Sequence, residues 1–347
     1  MALVEGSPSV ILKSVAKLIQ QKVPTKTAHL LEQFSNLLYG NISSLDLEHR
    51  NESDMYGATL SLWNSLNGHQ DDSPVIKVFN PQVSKHGWKS SHTIIEIIVK
   101  DMPFLVDSVR IALNRLGLSP HLLLNAPINI VRNNINEITH LSSSSAQSSQ
   151  TTSVETVFFI EIDRQTEQSA LDFVAKDLQS VMGDILLTVA DWLPMLAKLK
   201  SVISEVEKAK LPCSPEEKKN TLDFLEWLSQ NNFTIMGYRS YDVEVLKGDV
   251  ALEANVLSSL GLMKKSTGTK QRLISSLSES AREFALGDNL LILTKTNSYS
   301  RVHRPAQLDY IGVKRFDKNG NVIGEDRFIG LFGSAYYTNS ALNLPLI

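Results

Sequence analysis

The stretch "HTIIEIIVKDMPFLVDSVRIALNRLGL", residues 92–118, joins a strand pattern directly to a helix pattern and decides the fold of this chain. Residues 93–99 are β-branched almost throughout, which is typical of a strand. Asp101 and Pro103 follow as the expected helix cap and first-turn proline. The apolar residues that share one face of the helix are Leu105, Val109, Ala112 and Leu116. The stretch therefore predicts a strand–turn–helix corner.

The segments that follow continue this alternation of strands and helices. A second strand region covers residues 118–133, where Pro120 and Pro127 suit an edge or a bulge. The serine-rich tract 142–153 predicts a mobile hairpin loop, and "VETVFFIEID" at 154–163 predicts a third strand. A long helix comes next, with one apolar stripe made of Leu171, Val174, Leu178, Val181 and Ile185. Strand, helix, strand, strand and helix make up most of a ferredoxin-like βαββαβ unit, whose sixth element, a fourth strand, has no evident pattern.

Further helices are expected on both sides of this unit. Upstream, apolar spacing predicts helices over 8–22 and 26–39, and residues 43–68 look helical and polar. Downstream, the long helix is expected to bend at Pro194 and to end near Lys210.

A second unit is predicted from residue 211 onward. Ser214, Pro215 and Glu217 form a capping box with proline at the first helical position. Four strand segments follow that helix, at 233–245, 289–296, 310–317 and 321–332. The last two are joined by the hairpin turn "DKNG", and short helices are expected between 256 and 286. An antiparallel sheet flanked by short helices is typical of a small sensory domain.

The predicted fold class is therefore α+β, in three parts. These are an N-terminal helical segment (1–75), a ferredoxin-like βαββα domain with a long C-terminal helix (76–210) and a mixed antiparallel sheet domain (211–347).

Composition narrows the class of protein further. A net charge of −3 without a Lys/Arg-rich run argues against nucleic-acid binding. No run approaches the ~20 apolar residues that a membrane span needs, and the N-terminus is a poor signal peptide. One cysteine, Cys213, excludes an internal disulfide and a multi-cysteine metal site, which fits a reducing compartment. We expect a cytoplasmic protein that binds neither membrane nor nucleic acid.

Catalytic signatures are missing, and two clusters of polar residues remain as candidate sites. The sequence lacks a dinucleotide-binding glycine motif, a nucleophile elbow and a zinc-binding His-Glu helix, so no catalytic residue and no metal ligand is predicted. At the corner, Asp101, Asp107 and Ser108 surround a helix N-terminus, which attracts carboxylates. The alternative is that Asp101 only caps the helix and that Asp107 pairs with Arg110 or solvent.

The second cluster lies in "SRVHRPAQLDY", residues 300–310. Arg301, His303, Arg304 and Asp309 are either strand-end residues with structural hydrogen bonds or an anion or inter-domain site, because arginine suits carboxylate and phosphate geometry.

A family resemblance rests on motifs that occur in order along the chain. "DMPFLVDSV" resembles a signature near the N-terminus of the large bacterial NAD-specific glutamate dehydrogenases. The further matching segments are "WLSQNNFTIMGYRSYD" (227–242), "LGLM" (260–263), "LTKTNSYSRVHRPAQLDYIGVKRFDKNGNVIGEDRFIGLF" (293–332) and "AYYTNS" (335–340). The resemblance covers most of residues 80–340 and implies ACT-like domains followed by a PAS-type domain, with the catalytic domain far downstream.

The resemblance also implies a role. The full-length enzyme would convert L-glutamate, NAD and water to 2-oxoglutarate, ammonium and NADH, whereas this fragment would be its inactive regulatory and assembly region and would hold no cofactor. The apolar end "LNLPLI" is expected to be a truncation. Its partners would be the catalytic region of the same protein and other subunits of a homo-oligomer.

ACT domains often bind amino acids at the loop between first strand and first helix. The candidate effector-binding residues are therefore Asp101, Phe104, Leu105, Asp107 and Ser108. This sequence departs from the small-molecule ACT pattern, because Pro103, Phe104 and Leu105 replace the glycines that let a backbone approach its ligand. The alternative role is a purely structural oligomerisation scaffold without a small-molecule ligand.

Overall fold

The computed structural model describes residues 10–40, 42, 47, 50–69, 73–143, 153–246, 249–265, 271–276 and 279–333. Most of the serine-rich tract, residues 144–152, and the motif "AYYTNS" lie outside the described residues. The chain divides into two compact units, Met1–Met182 and Gly183–Ile347. The predicted boundaries at 75/76 and 210/211 are a different partition and remain predictions.

The first unit combines helices with a five-stranded sheet. Its helices are α1 (Val10–Lys22), α2 (Thr25–Tyr39), α3 (Glu52–Asn67), the single turn α4 (Val83–His86), α5 (Leu105–Arg115) and α6 (Gln168–Ala190), of which α6 runs on into the second unit. Its strands are β1 (Val75–Phe79), β2 (Thr93–Lys100), β3 (Pro120–Arg132), β4 (Ile138–Ser143) and β5 (Ser153–Ile162).

The order of the strands is β1-β2-β5-β3-β4, with antiparallel pairing throughout. β2, α5, β3, β5 and α6 are the predicted βαββα elements, so the ferredoxin-like core is confirmed. The position beside β2, which the fourth strand of the unit would fill after α6, is taken by β1, which precedes the unit: Val75 pairs with Ile98. β4 pairs with β3 only from Ile128 onward, so at Pro127 the strand β3 has β5 as its one neighbour. Pro127 therefore lies at an edge of the sheet, where a missing N–H breaks no pairing.

Both faces of this sheet are covered. Ile94 and Ile98 belong to one hydrophobic core with the buried residues of α1, α2 and α3, and the alternating side chains Ile95, Ile97 and Val99 are also fully buried. The prediction that residues 43–68 are polar was therefore wrong for α3, since one face of this helix is core. It begins at an Asn51 cap, whose side chain accepts hydrogen bonds from the next turn.

A buried ionic cluster fastens β3 and β5 to the loop after α3. Glu155 on β5 lies 2.9 Å from His69 Nδ1 and accepts a hydrogen bond from Arg132 on β3 at 3.1 Å. All three side chains are at most 13% exposed, so each charge depends on its partners rather than on water.

The predicted cap of α5 was wrong. Helix α5 begins at Leu105, and Phe104 occupies its N-cap position without a side-chain cap. Asp101 instead continues the strand, because its N–H donates to Val154 O at 2.7 Å and its carboxylate accepts from the Thr156 hydroxyl at 2.5 Å. Pro103 consequently lies in the turn before the helix, not in its first turn.

The second unit contains the remaining helices and strands. Its helices are α7 (Trp192–Lys208), α8 (Pro215–Trp227) and α9 (Glu279–Leu286), with short turns at Val256–Ser258, Leu262–Lys265 and Ile274–Ser276. Its strands are β6 (Phe233–Leu246), β7 (Asp249–Ala254), β8 (Leu260–Gly261), β9 (Gln271–Leu273), β10 (Leu291–Tyr299), β11 (Gln307–Phe316) and β12 (Val322–Phe332).

Helices α6 and α7 meet at a break rather than at the predicted proline. The chain bends by 48° between them, at Asp191, and Pro194 lies in the first turn of α7, where its missing N–H costs no hydrogen bond. Among the described residues, no single helix is long and apolar enough to span a membrane, and only this bent pair reaches that measure when taken together.

The second sheet has the order β10-β11-β12-β6-β7-β9, with β8 paired to β6, and all its pairings are antiparallel. The predicted antiparallel sheet with short helices is confirmed. The additional strands β7, β8 and β9 were not predicted. α8 begins as expected, with the Ser214 hydroxyl accepting from Glu217 N at 3.1 Å. Glu217 does not close the box but accepts from Leu290 N at 3.0 Å.

One face of this sheet packs on α7 and α8 through a core that includes Tyr238, Ile311 and Phe328. Near the C-terminal end of β11, Lys314 is 2% exposed and donates hydrogen bonds to Gly287 O and Asn289 Oδ1 at 2.9 and 2.8 Å. Burial lowers the pKa of Lys314 to about 8, against the attraction of nearby carboxylates such as Glu325, which raises it.

Candidate functional site

The predicted effector corner forms a small open cleft between the start of α5 and strands β3 and β5. The cleft measures about 170 Å³. Its lining residues are Asp101, Met102, Phe104, Leu105, Val106, Asp107, Asn125, Pro127 and Thr156. The structure thus brings together four of the five predicted residues.

Ser108 is the exception. Its side chain is fully buried, and its hydroxyl donates to the Phe104 carbonyl at 2.6 Å, one turn back along the chain. Ser108 therefore stabilises the start of α5 and does not line the cleft.

The cleft offers both signs of charge. The first N–H groups of a helix lack partners inside that helix, and no side chain caps α5. Asp107 is exposed in the first turn, and no ion pair with Arg110 forms within the described part of the chain. A ligand that carries a carboxylate and an ammonium group would match these donors and this acceptor.

The backbone at Phe104 adopts a conformation that usually requires glycine. Its φ is 75°, in the left-handed region. Non-glycine residues in this region cost of order 1–3 kcal/mol and tend to occur at functional sites. At this one position the turn therefore adopts a glycine-like conformation, although the sequence has no glycine there.

The second predicted cluster does not converge on one site. Arg304 donates to the Phe332 carbonyl, and Asp309 accepts from Phe332 N at 3.4 Å, so both residues hold the end of β12. His303 occupies a left-handed turn, with φ of 70°. Arg301 lines a cavity, where it lies 3.7 Å from Asp184.

That cavity measures about 580 Å³. Its polar and aromatic lining includes Asp184, Tyr241, Lys265, Lys295, Tyr299, Arg301, Tyr310 and Arg327. Sequence reasoning missed all of these except Arg301. Alternation along β11 and β12 could have assigned Tyr310 and Arg327 to a face of the sheet. It could not have shown that the turn Leu262–Lys265 lines the same pocket.

A charged and aromatic cluster lies on the sheet beside this pocket. The guanidinium of Arg327 lies 3.9 Å from the ring centre of Tyr241 and 4.7 Å from that of Tyr310. Glu325 accepts hydrogen bonds from the Tyr310 hydroxyl and from Arg327. Burial, reinforced by the Glu325 carboxylate, raises the pKa of Tyr310, so this phenol stays a hydrogen-bond donor.

A Cβ on the neighbouring Gly312 would lie only 2.3 Å from Glu325, so a glycine is needed for this arrangement. Within the described residues, no group of three or more His, Cys, Asp or Glu side chains is placed to hold a metal ion.

Comparisons with known proteins agree with the motif resemblance. The family model described as the ACT1 domain of glutamate dehydrogenase matches residues 34–178, from within α2 to within α6. The NAD-specific glutamate dehydrogenase of Halomonas elongata is 32% identical over 97% of this chain and 21% of its own length. The enzyme of the same name from Pseudomonas aeruginosa is 35% identical over 95% of this chain and 20% of its own length.

A more distant NAD-specific glutamate dehydrogenase, from Mycobacterium tuberculosis, is 25% identical over 73% of this chain and 14% of its own length. The chain spans about a fifth of the length of the first two relatives. This chain is therefore similar, over nearly its whole length, to a part of NAD-specific glutamate dehydrogenases, and residues 34–178 match the ACT1 domain of glutamate dehydrogenase, in agreement with the sequence motifs.

Proposed function

We propose that this chain is the regulatory and assembly region of an enzyme that oxidatively deaminates L-glutamate to 2-oxoglutarate with NAD as the hydride acceptor. NAD would bind in the catalytic part of the whole protein. In this proposal the chain senses a small amino acid at the α5 corner and transmits its presence to the catalytic region and to other subunits of a homo-oligomer. The names and lengths of the relatives support the reaction and the division of labour.

A single observation supports sensing: the corner is an open cleft beside a helix start that no side chain caps. The uncapped start of α5 would accept the carboxylate of an amino acid, and the exposed Asp107 would pair with its ammonium group. The Asp101 carboxylate, already bonded to Thr156, would help to balance the ammonium charge from the strand side.

The size of the cleft restricts the ligand. A volume of about 170 Å³ is below the range of about 300–1,000 Å³ that is usual for drug-sized ligands, which favours the smaller amino acids. A nucleotide would not be enclosed by a cleft of this size.

The experiment is a titration of the chain with the twenty common amino acids, followed by thermal unfolding. A ligand at a hundred times its dissociation constant adds about 2.7 kcal/mol to the stability of the folded state. That gain raises the midpoint by roughly 2–4 °C per kcal/mol in domains of this size. A response to one or two small amino acids that Asp107→Asn abolishes would support sensing at the corner.

The matched control is Glu216→Gln. Glu216 is also an exposed acid in the first turn of a helix, α8, so both variants lose one charge that favours a helix start. Glu216→Gln should lower the midpoint slightly and leave the ligand response intact. Loss of the response in both variants would contradict the assignment to the corner.

The second candidate is a structural scaffold that binds no small molecule. The buried Ser108 and the small volume of the cleft favour it, because both fit a corner that serves packing. If none of the amino acids moves the midpoint, scaffolding becomes the better proposal, and the oligomeric state of Phe104→Ala measured by light scattering tests whether the corner lies at a subunit contact.

A further inference from the structure

The pocket that Arg301 lines lies on the sheet face opposite the α7 and α8 core, since Tyr310 and Ile329 alternate with the core residues Ile311 and Phe328. The described linings of this pocket and of the α5 corner share no residue. Its volume of about 580 Å³ is within the range of about 300–1,000 Å³ that is usual for ligand pockets. The pocket can therefore hold a molecule of its own.

Each of the four cations in the described lining already has a carboxylate partner, at N···O distances of 2.5–3.7 Å. The side chains of these carboxylates are at most 11% exposed. The pairs are Lys265 and Arg301 with Asp184, Lys295 with Asp309, and Arg327 with Glu325.

This pairing disfavours a charged ligand of either sign. An anion would draw a cation away from a buried carboxylate and leave that carboxylate with fewer partners. A cation would compete with the lysines and arginines for the same carboxylates and would be repelled by them. An uncharged molecule leaves every ion pair intact, so the lining favours an uncharged ligand.

Three tyrosine rings make the pocket aromatic. Tyr241, Arg327 and Tyr310 lie on the neighbouring strands β6, β12 and β11, and the guanidinium lies 3.9 and 4.7 Å from the two ring centres. Tyr299 lines the pocket from β10 and is 67% exposed. A ring bound beside Tyr299 would remove apolar surface from water and form a ring–ring contact.

The remaining lining suits the body and the polar edge of such a ring. Met263 contributes a thioether, which makes favourable contacts with aromatic rings. Within the described part of the chain, the side chains of Asn297 and Tyr241 form no hydrogen bond, so their amide and hydroxyl groups are available to polar atoms of a ligand. The other apolar lining residues are Leu262, Val302, Leu308 and Ile329.

We propose that this pocket binds an uncharged aromatic molecule that carries a neutral hydrogen-bonding group such as a carboxamide. Tyr299 and Met263 contact its ring, and Asn297 and Tyr241 bind its polar edge. This ligand differs in chemistry from the zwitterionic amino acid proposed for the α5 corner, and the site is a different cleft.

The test is titration of the 347-residue chain with benzamide, followed by ligand-observed NMR, which detects weak binding. Benzoate and benzamidinium have nearly the shape of benzamide and carry a negative and a positive charge, and cyclohexanecarboxamide has the same amide on a saturated ring. We expect saturable binding of benzamide. Binding should be about tenfold weaker or more for the two charged analogues, and about two- to tenfold weaker for the saturated amide.

Strand β10 offers a matched pair of variants. Tyr299 and Leu293 are both exposed on this strand, by 67% and 42%, and of the two only Tyr299 lines the pocket. Tyr299→Ser should weaken benzamide binding about two- to tenfold, and Leu293→Ser should leave it unchanged. Because both side chains are exposed, both variants should keep the thermal unfolding midpoint of the parent chain, which checks that they fold.

Several outcomes would overturn the proposal. One is the absence of saturable benzamide binding at millimolar concentration. Others are binding of benzoate or benzamidinium as tight as that of benzamide, or equal weakening by Tyr299→Ser and Leu293→Ser. Because Asp107→Asn lies in the other cleft, it should not change benzamide binding, so failure here is distinct from failure of amino-acid sensing.

Discussion

Replacing Gly57 with alanine should destabilise the first unit, although alanine is the better helix former. Gly57 lies in α3 against Trp88, which is 3% exposed. A Cβ at this position would lie 2.4 Å from Trp88 Cβ and 2.5 Å from Trp88 Cγ. Real Cβ atoms do not approach other atoms that closely, so either the indole or the helix must move.

The magnitude follows from two opposing terms. Glycine in a helix interior is about 1 kcal/mol less favourable than alanine. Overpacking a core costs about 1–3 kcal/mol, and loss of a buried tryptophan contact costs about 3–5 kcal/mol. We expect Gly57→Ala to lower the unfolding free energy by about 1–3 kcal/mol, because steric displacement outweighs the gain in helix propensity.

The assay is urea unfolding followed by circular dichroism and tryptophan fluorescence. If the dependence of the unfolding free energy on urea concentration is the same in both variants, a shift of the midpoint reports a change in stability. Gly183→Ala in α6 is the matched control. Among the described residues, the Cβ would meet only Lys265 Nζ, at 3.2 Å, and Cε, at 3.9 Å, which belong to the end of a flexible side chain. This variant should raise stability by up to about 1 kcal/mol.

A double variant completes the design. Trp88→Gly removes the Cβ and the indole that the new methyl group would meet, so Gly57→Ala should cost much less in its presence, and the two substitutions should couple by about 1 kcal/mol or more. If Gly57→Ala and Gly183→Ala shift the midpoint in the same direction, the steric reasoning is refuted.

Three further predictions concern buried charges and a helix cap. The unfolding free energy should rise by up to about 2 kcal/mol between pH 8 and pH 10.5 because of Lys314, since the unfolded state binds the proton that the folded state has released. Lys314→Met should remove this rise in pH-dependent urea unfolding. Arg132→Gln should destabilise the chain by about 3 kcal/mol, because it leaves Glu155 buried with fewer partners, whereas Arg110→Gln at an exposed position should stay within about 0.5 kcal/mol in the same assay. Ser214→Ala should cost about 1 kcal/mol by loss of the α8 cap, and Ser214→Asp should restore most of it; equal midpoints for both variants would contradict the cap.

Local sequence patterns were sufficient for several elements. The β-branched run of β2, the apolar stripe of α6 and the Ser214 cap each depend on neighbouring residues along the chain, and each was placed within a few residues. The start of α5 was misplaced at Asp101, because a sequence cannot show that Thr156 and Val154 hold this residue in the sheet.

The candidate corner was found from sequence because its residues are consecutive. The pocket of the second unit was not, because Asp184, Lys265, Arg301 and Arg327 come from four segments that only folding brings together. Of these residues, only Arg301 was predicted, because it lies in the arginine-rich segment 300–310. In the structure Arg301 lines the pocket, whereas Arg304 of the same segment binds the end of β12.

The sequence by itself determined the two sheets, the main helices and the family, since periodicity, caps and ordered motifs are local properties of the chain. Only the tertiary structure decided that β1 completes the first sheet, that Ser108 is buried inside the corner and that cations from three separate segments meet around one pocket. The reason is physical: strand pairing and side-chain burial depend on contacts between residues far apart in sequence. The energy of such contacts depends on how the side chains pack in the folded protein, and a local sequence pattern does not predict it.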